Sequence, residues 1–287
     1  VIQKPSISIG AIYKDVCNGY SKSTTTNHFI KHLNSIDLAL IDEYEYEMLS
    51  YYKNKGAFLR DDLLKIRIKE GVWSEDKDKK ITFLENNIRI MIDKKKKASI
   101  ESQIDEIEEI VSNYEKDYIA LATERNSILS LSAESLTSSA VTEFILSLSF
   151  YNDKELNNKS FEIDDVIDFS TQEMNCYIKE HRLFMNNLSN SNLRFVGANE
   201  NVRGFIKASN NAESFFGVRG CSLTSNQIKL FDYAKYFSSL IERIQDITDD
   251  EKNHPDEIER RYILESNKQE VKPEESKSKF MEVFNKT

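Results

Sequence analysis

Residues 81–128 read ITFLENNIRIMIDKKKKASIESQIDEIEEIVSNYEKDYIALATERNSI, and the spacing of their apolar side chains decides the fold class. Ile81, Leu84, Ile88 and Met91 recur at intervals of three, four and three. After the lysine run Lys94, Lys95, Lys96 and Lys97, a second series begins at Ile100 and continues through Ile104, Ile107, Val111, Tyr114, Tyr118, Leu121, Arg125 and Ile128. Its intervals alternate four and three without a slip, and Arg125 is its one charged member. An apolar seam of this period, held for about four heptads, predicts a coiled coil. The break at Lys94 to Ser99 folds the two stripes into an antiparallel hairpin over about 77–131 with a cationic tip, since Ala98-Ser99 offers a cap and Lys95 falls on the seam. One continuous rod is the alternative.

Working outward, Ile36 to Lys55 reads as a helix capped at Asn34 or Ser35 and ended by Gly56, with Leu38, Ile41, Tyr44, Met48, Leu49 and Tyr52 as its stripe. A shorter helix, Arg60 to Glu70, stops at Gly71. Trp73, the only Trp, precedes a helix start at Ser74-Glu75-Asp76. Beyond the hairpin, a helix is expected from about Ala133 to Tyr151, and the polar loop Asn152 to Ser160 then reads as a domain boundary. Ser170 with Glu173, and Thr224 with Gln227, form capping boxes for helices ending near Leu188 and Ile247. The expectation is a mainly α, elongated protein with extended terminal arms. Its parts are an arm over 1–35 with a short strand at Ser6 to Ile12, a helical domain over 36–151, a second over 161–247, and an acidic tail over 248–287.

Composition narrows the class further. Of 287 residues, 39% are hydrophobic and 30% charged, while eight Gly and three Pro are too few for the tight turns of an all-β chain. No apolar run approaches the roughly 18 residues of a membrane span, and no basic-then-apolar signal opens the sequence. Cys17, Cys176 and Cys221 are odd in number and far apart, which implies no disulfide framework. A net charge of -9 disfavours nonspecific nucleic-acid binding. The charge is uneven: Asp246 to Glu275 carries eleven acidic against five basic residues, while Val1 to Ser35 carries four Lys against one Asp. Both ends therefore read as contact elements rather than core.

Catalytic patterns are sparse. His28 and His32 lie four apart with Cys17 upstream, but a second Cys and a nearby carboxylate are missing, so surface or capping histidines are expected rather than a metal site. Cys176 and His181, five apart, fall on different helix faces. No nucleophile elbow or phosphate loop occurs, and Gly217-Val218-Arg219-Gly220 reads as a turn before the Thr224 cap rather than an anion nest. The paired carboxylates Asp249-Asp250 and Glu274-Glu275 have nothing nearby to desolvate them. No active site, metal or cofactor is expected. Two groups remain as candidate partner-binding elements: Lys94, Lys95, Lys96 and Lys97 at the tip, and Phe280, Met281, Val283 and Phe284 as apolar anchors in the tail.

The stretch Ile68-Lys69-Glu70-Gly71-Val72-Trp73-Ser74-Glu75-Asp76 followed by a charged hairpin resembles a poorly characterised structural or tail-assembly family of large contractile-tailed bacteriophages. So does Phe215-Phe216-Gly217, then Leu223-Thr224-Ser225-Asn226-Gln227 leading into a helix with Tyr233, Tyr236 and Phe237. The resemblance covers about residues 36–247. It implies a virion or tail-assembly component, located in the virion or in the host cytoplasm during assembly, with no catalytic residues to carry over. The expected function is a non-enzymatic subunit that binds neighbouring subunits through its hairpin and terminal arms, with self-association left open. A transient assembly chaperone and a regulatory or host-directed binding module using the lysine tip are the alternatives.

Overall fold

The computed structural model describes residues 8–97 and 101–266. Its elements are mainly helical. In chain order they are α1 (Ile9–Asn18), β1 (Tyr20–Lys22), β2 (Phe29–Lys31), α2 (Ser35–Asn54), α3 (Arg60–Lys69), α4 (Glu75–Lys97), α5 (Glu101–Ile128) and α6 (Ala133–Ser149). Then follow β3 (Phe150–Tyr151), α7 (Ile163–Ile167), α8 (Thr171–Asn187), α9 (Asn190–Ala198), α10 (Glu200–Lys207), α11 (Ala212–Phe216) and α12 (Ser225–Ile241). A last helix, α13, covers 255–266. The chain forms two compact units. One holds the described residues up to Ile41 and from Glu143 onward, and the other is Asp42–Thr142. The chain passes between them within α2 and within α6, so the expected succession of two helical domains divided at 152–160 gives way to a nested arrangement. The loop expected to divide the chain is tied into the first unit: Asn152 N–H donates to the Asn158 carbonyl (2.8 Å), Ser160 N–H donates to the Phe150 carbonyl (3.0 Å), and Phe161 enters the core.

In the first unit, residues 9–31 are folded rather than extended. Ile9, Ile12, Tyr13 and Val16 recur at three, one and three, a helical stripe two turns long, and they pack into the main core. Ser8 caps the start of α1, accepting from Ala11 N–H (3.2 Å), and Gly19 closes it at φ 72. From Ser8 onward, the expected extended arm and the expected strand reaching Ile12 are thus corrected to a capped helix followed by a hairpin; residues 1–7 lie outside the described residues. β1 pairs antiparallel with β2, setting Ser21 opposite Ile30, and β2 pairs with β3, setting Ile30 opposite Phe150. Ile30 and Phe150 are buried against α1, α8, α9 and α12. α9 and α12 approach each other closely where Gly197 leaves room for Tyr233 and the backbone of Ala234. Ala198, Phe237, Leu240 and Ile244 form a second cluster with Ile258 of α13. Residues 248–266 are accordingly part of the fold rather than an acidic tail. Ile258 is fully buried, and Glu251 accepts from Thr248 and from Arg261. Residues 267–287 lie outside the described residues.

In the second unit, Ser74 starts α4 by accepting from Lys77 N–H (3.2 Å), and Trp73 is buried with the Lys77 ammonium 5.1 Å from its ring centroid. α4 and α5 lie beside each other in opposite chain directions. Asp78 pairs with Arg125 (2.7 Å), Lys77 with Glu124 (2.5 Å) and Glu85 with Tyr118 (3.0 Å). Farther along, Lys95 pairs with Glu108 (2.6 Å). As one partner's number rises, the other's falls. Of the apolar stripe of α4, Ile81 and Leu84 are buried. The stripe of α2 behaves differently, for only Ile41 among its apolar residues is buried.

Candidate functional site

Three places hold chemistry that the fold itself does not require. The first is the outer face of the α4–α5 pair. Two helices burying one seam leave their remaining faces to solvent, and here those faces carry Phe83 (59% exposed), Ile90 and Ile119 (61%) among charged neighbours. Isolated exposed apolar residues are ordinary, but Phe83 and Ile90, seven apart and so on one face of α4, form a surface that can associate. Lys94 is exposed near the end of α4, and Lys96 and Lys97 close that helix. Lys95 is already engaged: its ammonium donates to Glu108 and holds that carboxyl below the usual range. The expected four-lysine patch therefore has one member paired within the chain.

The second place is a polar cluster inside the first unit. Glu180, buried on α8, accepts from Ser23 Oγ (2.5 Å) and from Thr25 Oγ1, which fastens the β1–β2 loop to α8. His32, 1% exposed, lies against Phe184, with Nε2 3.1 Å from Ser21 Oγ. Ser21 also lies beside the Asp15 side chain, whose pKa burial raises and the Ser21 hydroxyl lowers. If Ser21 donates to Asp15, His32 carries its proton on Nε2, leaving Nδ1 as a lone pair with no partner. A catalytic serine–histidine pair needs the opposite order, with the carboxylate on the far side of the imidazole and the serine open to substrate. Here the carboxylate is on the serine side and Ser21 is buried. Burial holds His32 neutral, lowering its pKa to about 3, and lowers those of His28 and His181. His28 sits among Phe150, Phe161 and Tyr177. The expectation of surface or capping histidines is thus corrected. His28 and His32 flank β2 and line the core, because a four-residue step along a strand returns to the same face. No group of three or more His, Cys, Asp or Glu that could hold a metal exists among the described residues.

The third place is a cleft of about 400 Å³ on the first unit, lined by Tyr13 and Cys17 of α1, Phe205 of α10, Ser209, and Phe215 and Phe216 of α11. Tyr13 and Cys17 are one helical turn apart, and burial, with the neighbouring thiol, pushes the phenol up to about 12. Phe215 and Phe216 meet edge to face at 4.8 Å. Phe205 stands 62% exposed on the rim. In the sequence Phe215 and Phe216 stand out only in the stretch Phe215-Phe216-Gly217, and Tyr13 falls in the expected arm; only the fold brings them together with Phe205. Phe280, Met281, Val283 and Phe284, the expected anchors, lie outside the described residues.

No helix among the described residues is long and apolar enough to cross a membrane. No protein-family model, curated protein or solved structure matches this chain.

Proposed function

We propose that this chain is a non-enzymatic structural or assembly protein that binds neighbouring subunits of a large complex. The observation that carries the reading is the α4–α5 pair with its outward apolar residues. At 1.5 Å per residue its helices of 23 and 28 residues span about 35 and about 42 Å. We read the pair as an antiparallel coiled-coil hairpin, because the 3-4 spacing of Ile81, Leu84, Ile88 and Met91 meets that of Leu121, Tyr118, Tyr114 and Val111 across it. Such a hairpin shelters its seam, and Phe83 and Ile90, seven residues apart on one outward face of α4, are covered when a neighbour packs there. The apolar cluster Phe280, Met281, Val283 and Phe284 is the second contact element. The resemblance over residues 36–247 supplies the setting, the particle of a contractile-tailed phage.

The test replaces Phe83, Ile90 and Ile119 together with Ser and follows incorporation of the chain into gradient-purified particles. The proposal expects a drop of about tenfold or more with unchanged far-ultraviolet circular dichroism, since three exposed side chains contribute little to the fold. Full incorporation of the triple variant removes the basis for the reading.

A further inference from the structure

A cleft with aromatic walls and an exposed phenylalanine on its rim leaves apolar surface in water, at a cost of roughly 25 cal/mol for each Å². Its volume of about 400 Å³ falls in the range that takes a compact ligand or a pair of side chains. Its wall is aromatic, and Ser209 together with the Tyr13 phenol and Cys17 thiol supplies its polar groups. An occupant that suits such a wall is a short apolar and aromatic segment, whose rings pack edge to face against Phe215 and Phe216.

This chain carries one such segment beyond the described residues. Phe280, Met281, Val283 and Phe284 crowd four large apolar side chains into five positions, with the two phenylalanines four apart, the spacing that sets side chains together on a helical turn. Between Ser266 and Phe280 lie thirteen residues, Asn267 to Lys279, of which Val271 and Pro273 are the only apolar ones. That composition is a linker's. Fully extended, it reaches about 45 Å at roughly 3.3 Å per residue. The described residues of the first unit, about 160, correspond to a radius of gyration near 15 Å and a sphere about 40 Å across, so the linker reaches most of the unit's surface.

We propose that the Tyr13–Cys17–Phe205–Phe215–Phe216 cleft is the receptor for the apolar cluster Phe280 to Phe284 of the same chain. It rests on the reading of that cluster as a docking element. A short linker gives a tethered segment an effective concentration near millimolar, so at micromolar protein the chain's own segment outcompetes that of a second copy. The consequence is a self-masked contact. Before assembly the anchors are sheltered, and a neighbouring subunit engages them only by displacing them from the cleft.

Cys17 in the cleft wall makes the proposal testable in the full chain. In a background with Cys176→Ser and Cys221→Ser, the Phe284→Cys variant is exposed to mild oxidation. The disulfide to Cys17 is expected within one chain, at least about tenfold faster than from a Ser278→Cys variant. Adding Phe205→Glu, an exposed position whose change leaves the fold intact by circular dichroism, is expected to bring the rate down to the control. Equal rates from positions 284 and 278, or disulfides joining two chains at micromolar protein, overturn the proposal. Incorporation of a chain cut after Lys279 separates this from the underlying reading. Undiminished incorporation overturns the docking role of the cluster, whereas lost incorporation without preferential crosslinking overturns only its seat in the cleft.

Discussion

Gly197→Ala is expected to destabilise the first unit although alanine is the better helix former. Gly197 lies within α9 where that helix crosses α12. A Cβ built there would stand 2.7 Å from Tyr233 Cβ, 3.1 Å from Ala234 N and 3.2 Å from the Tyr233 carbonyl carbon. Carbon atoms in good contact sit about 3.5–4.0 Å apart, so the two helices must separate by nearly 1 Å. The obstacle is backbone and a Cβ rather than the free end of a side chain, and Leu193, Val196, Leu230 and Ala234 pack around it with no room to yield. Overpacking of this kind costs up to about 3 kcal/mol. The helix preference of alanine returns about 1 kcal/mol, which leaves a net loss of about 2 kcal/mol. At about 2–4 °C per kcal/mol for a unit of this size, Tm falls by about 4–8 °C. Gly204→Ala, seven residues on in α10, is the control. Its Cβ meets nothing within 4 Å, so the same substitution is expected to stabilise by about 0.5–1 kcal/mol. Scanning calorimetry of both variants, with hydrogen exchange of the α9 and α12 amides to assign the transition, reads the two signs. If Gly197→Ala raises Tm as Gly204→Ala does, the α9–α12 approach is not as close as described and the reasoning fails.

Other expectations follow from the same structure. His32 has a folded pKa near 3 and an ordinary value near 6.5, so the unfolded chain binds the proton more readily between those limits. Stability is therefore full above about pH 6.5 and declines by up to about 1.4 kcal/mol per pH unit as pH falls toward 3; urea midpoints at several pH values should show that slope, and His32→Gln should flatten it. Glu180→Ala strips the Ser23 and Thr25 hydroxyls of their acceptor and is expected to cost about 2 kcal/mol, with faster exchange at residues 23–28; exchange unaltered there would remove the latch. Leu84→Ala empties a buried position between α4 and α5 and is expected to cost about 2–4 kcal/mol, read as faster amide exchange confined to 75–125, with α9 and α12 unaffected.

The parts of the fold legible in the sequence are those whose signal is long or doubly marked. α4 and α5 show a spacing that repeats over many turns, and α8 and α12 each open on a reciprocal capping box that the structure reproduces at Ser170–Glu173 and Thr224–Gln227. α1 escaped because a ten-residue helix offers only two turns of pattern, and its stripe at Ile9, Ile12, Tyr13 and Val16 reads as scatter beside a polar run. β2 is three residues long, below the length at which alternation can be recognised. Ile258 was lost in a run of charges, where it and Pro255 are the buried residues that anchor α13. The polar cluster was out of reach for another reason. Ser23 and Glu180 are 157 positions apart, and nothing local to either marks the pairing. The cleft likewise joins α1 to α10 and α11 across most of the chain.

The central claim is that this chain works as a built-in part of a larger assembly. The measurement that tests it most directly is the copy number of the chain in gradient-purified particles, by quantitative mass spectrometry. The account predicts a fixed integer per particle, a multiple of three, five or six, reproducible between preparations. Absence from particles, with the chain abundant in infected cells, would contradict it.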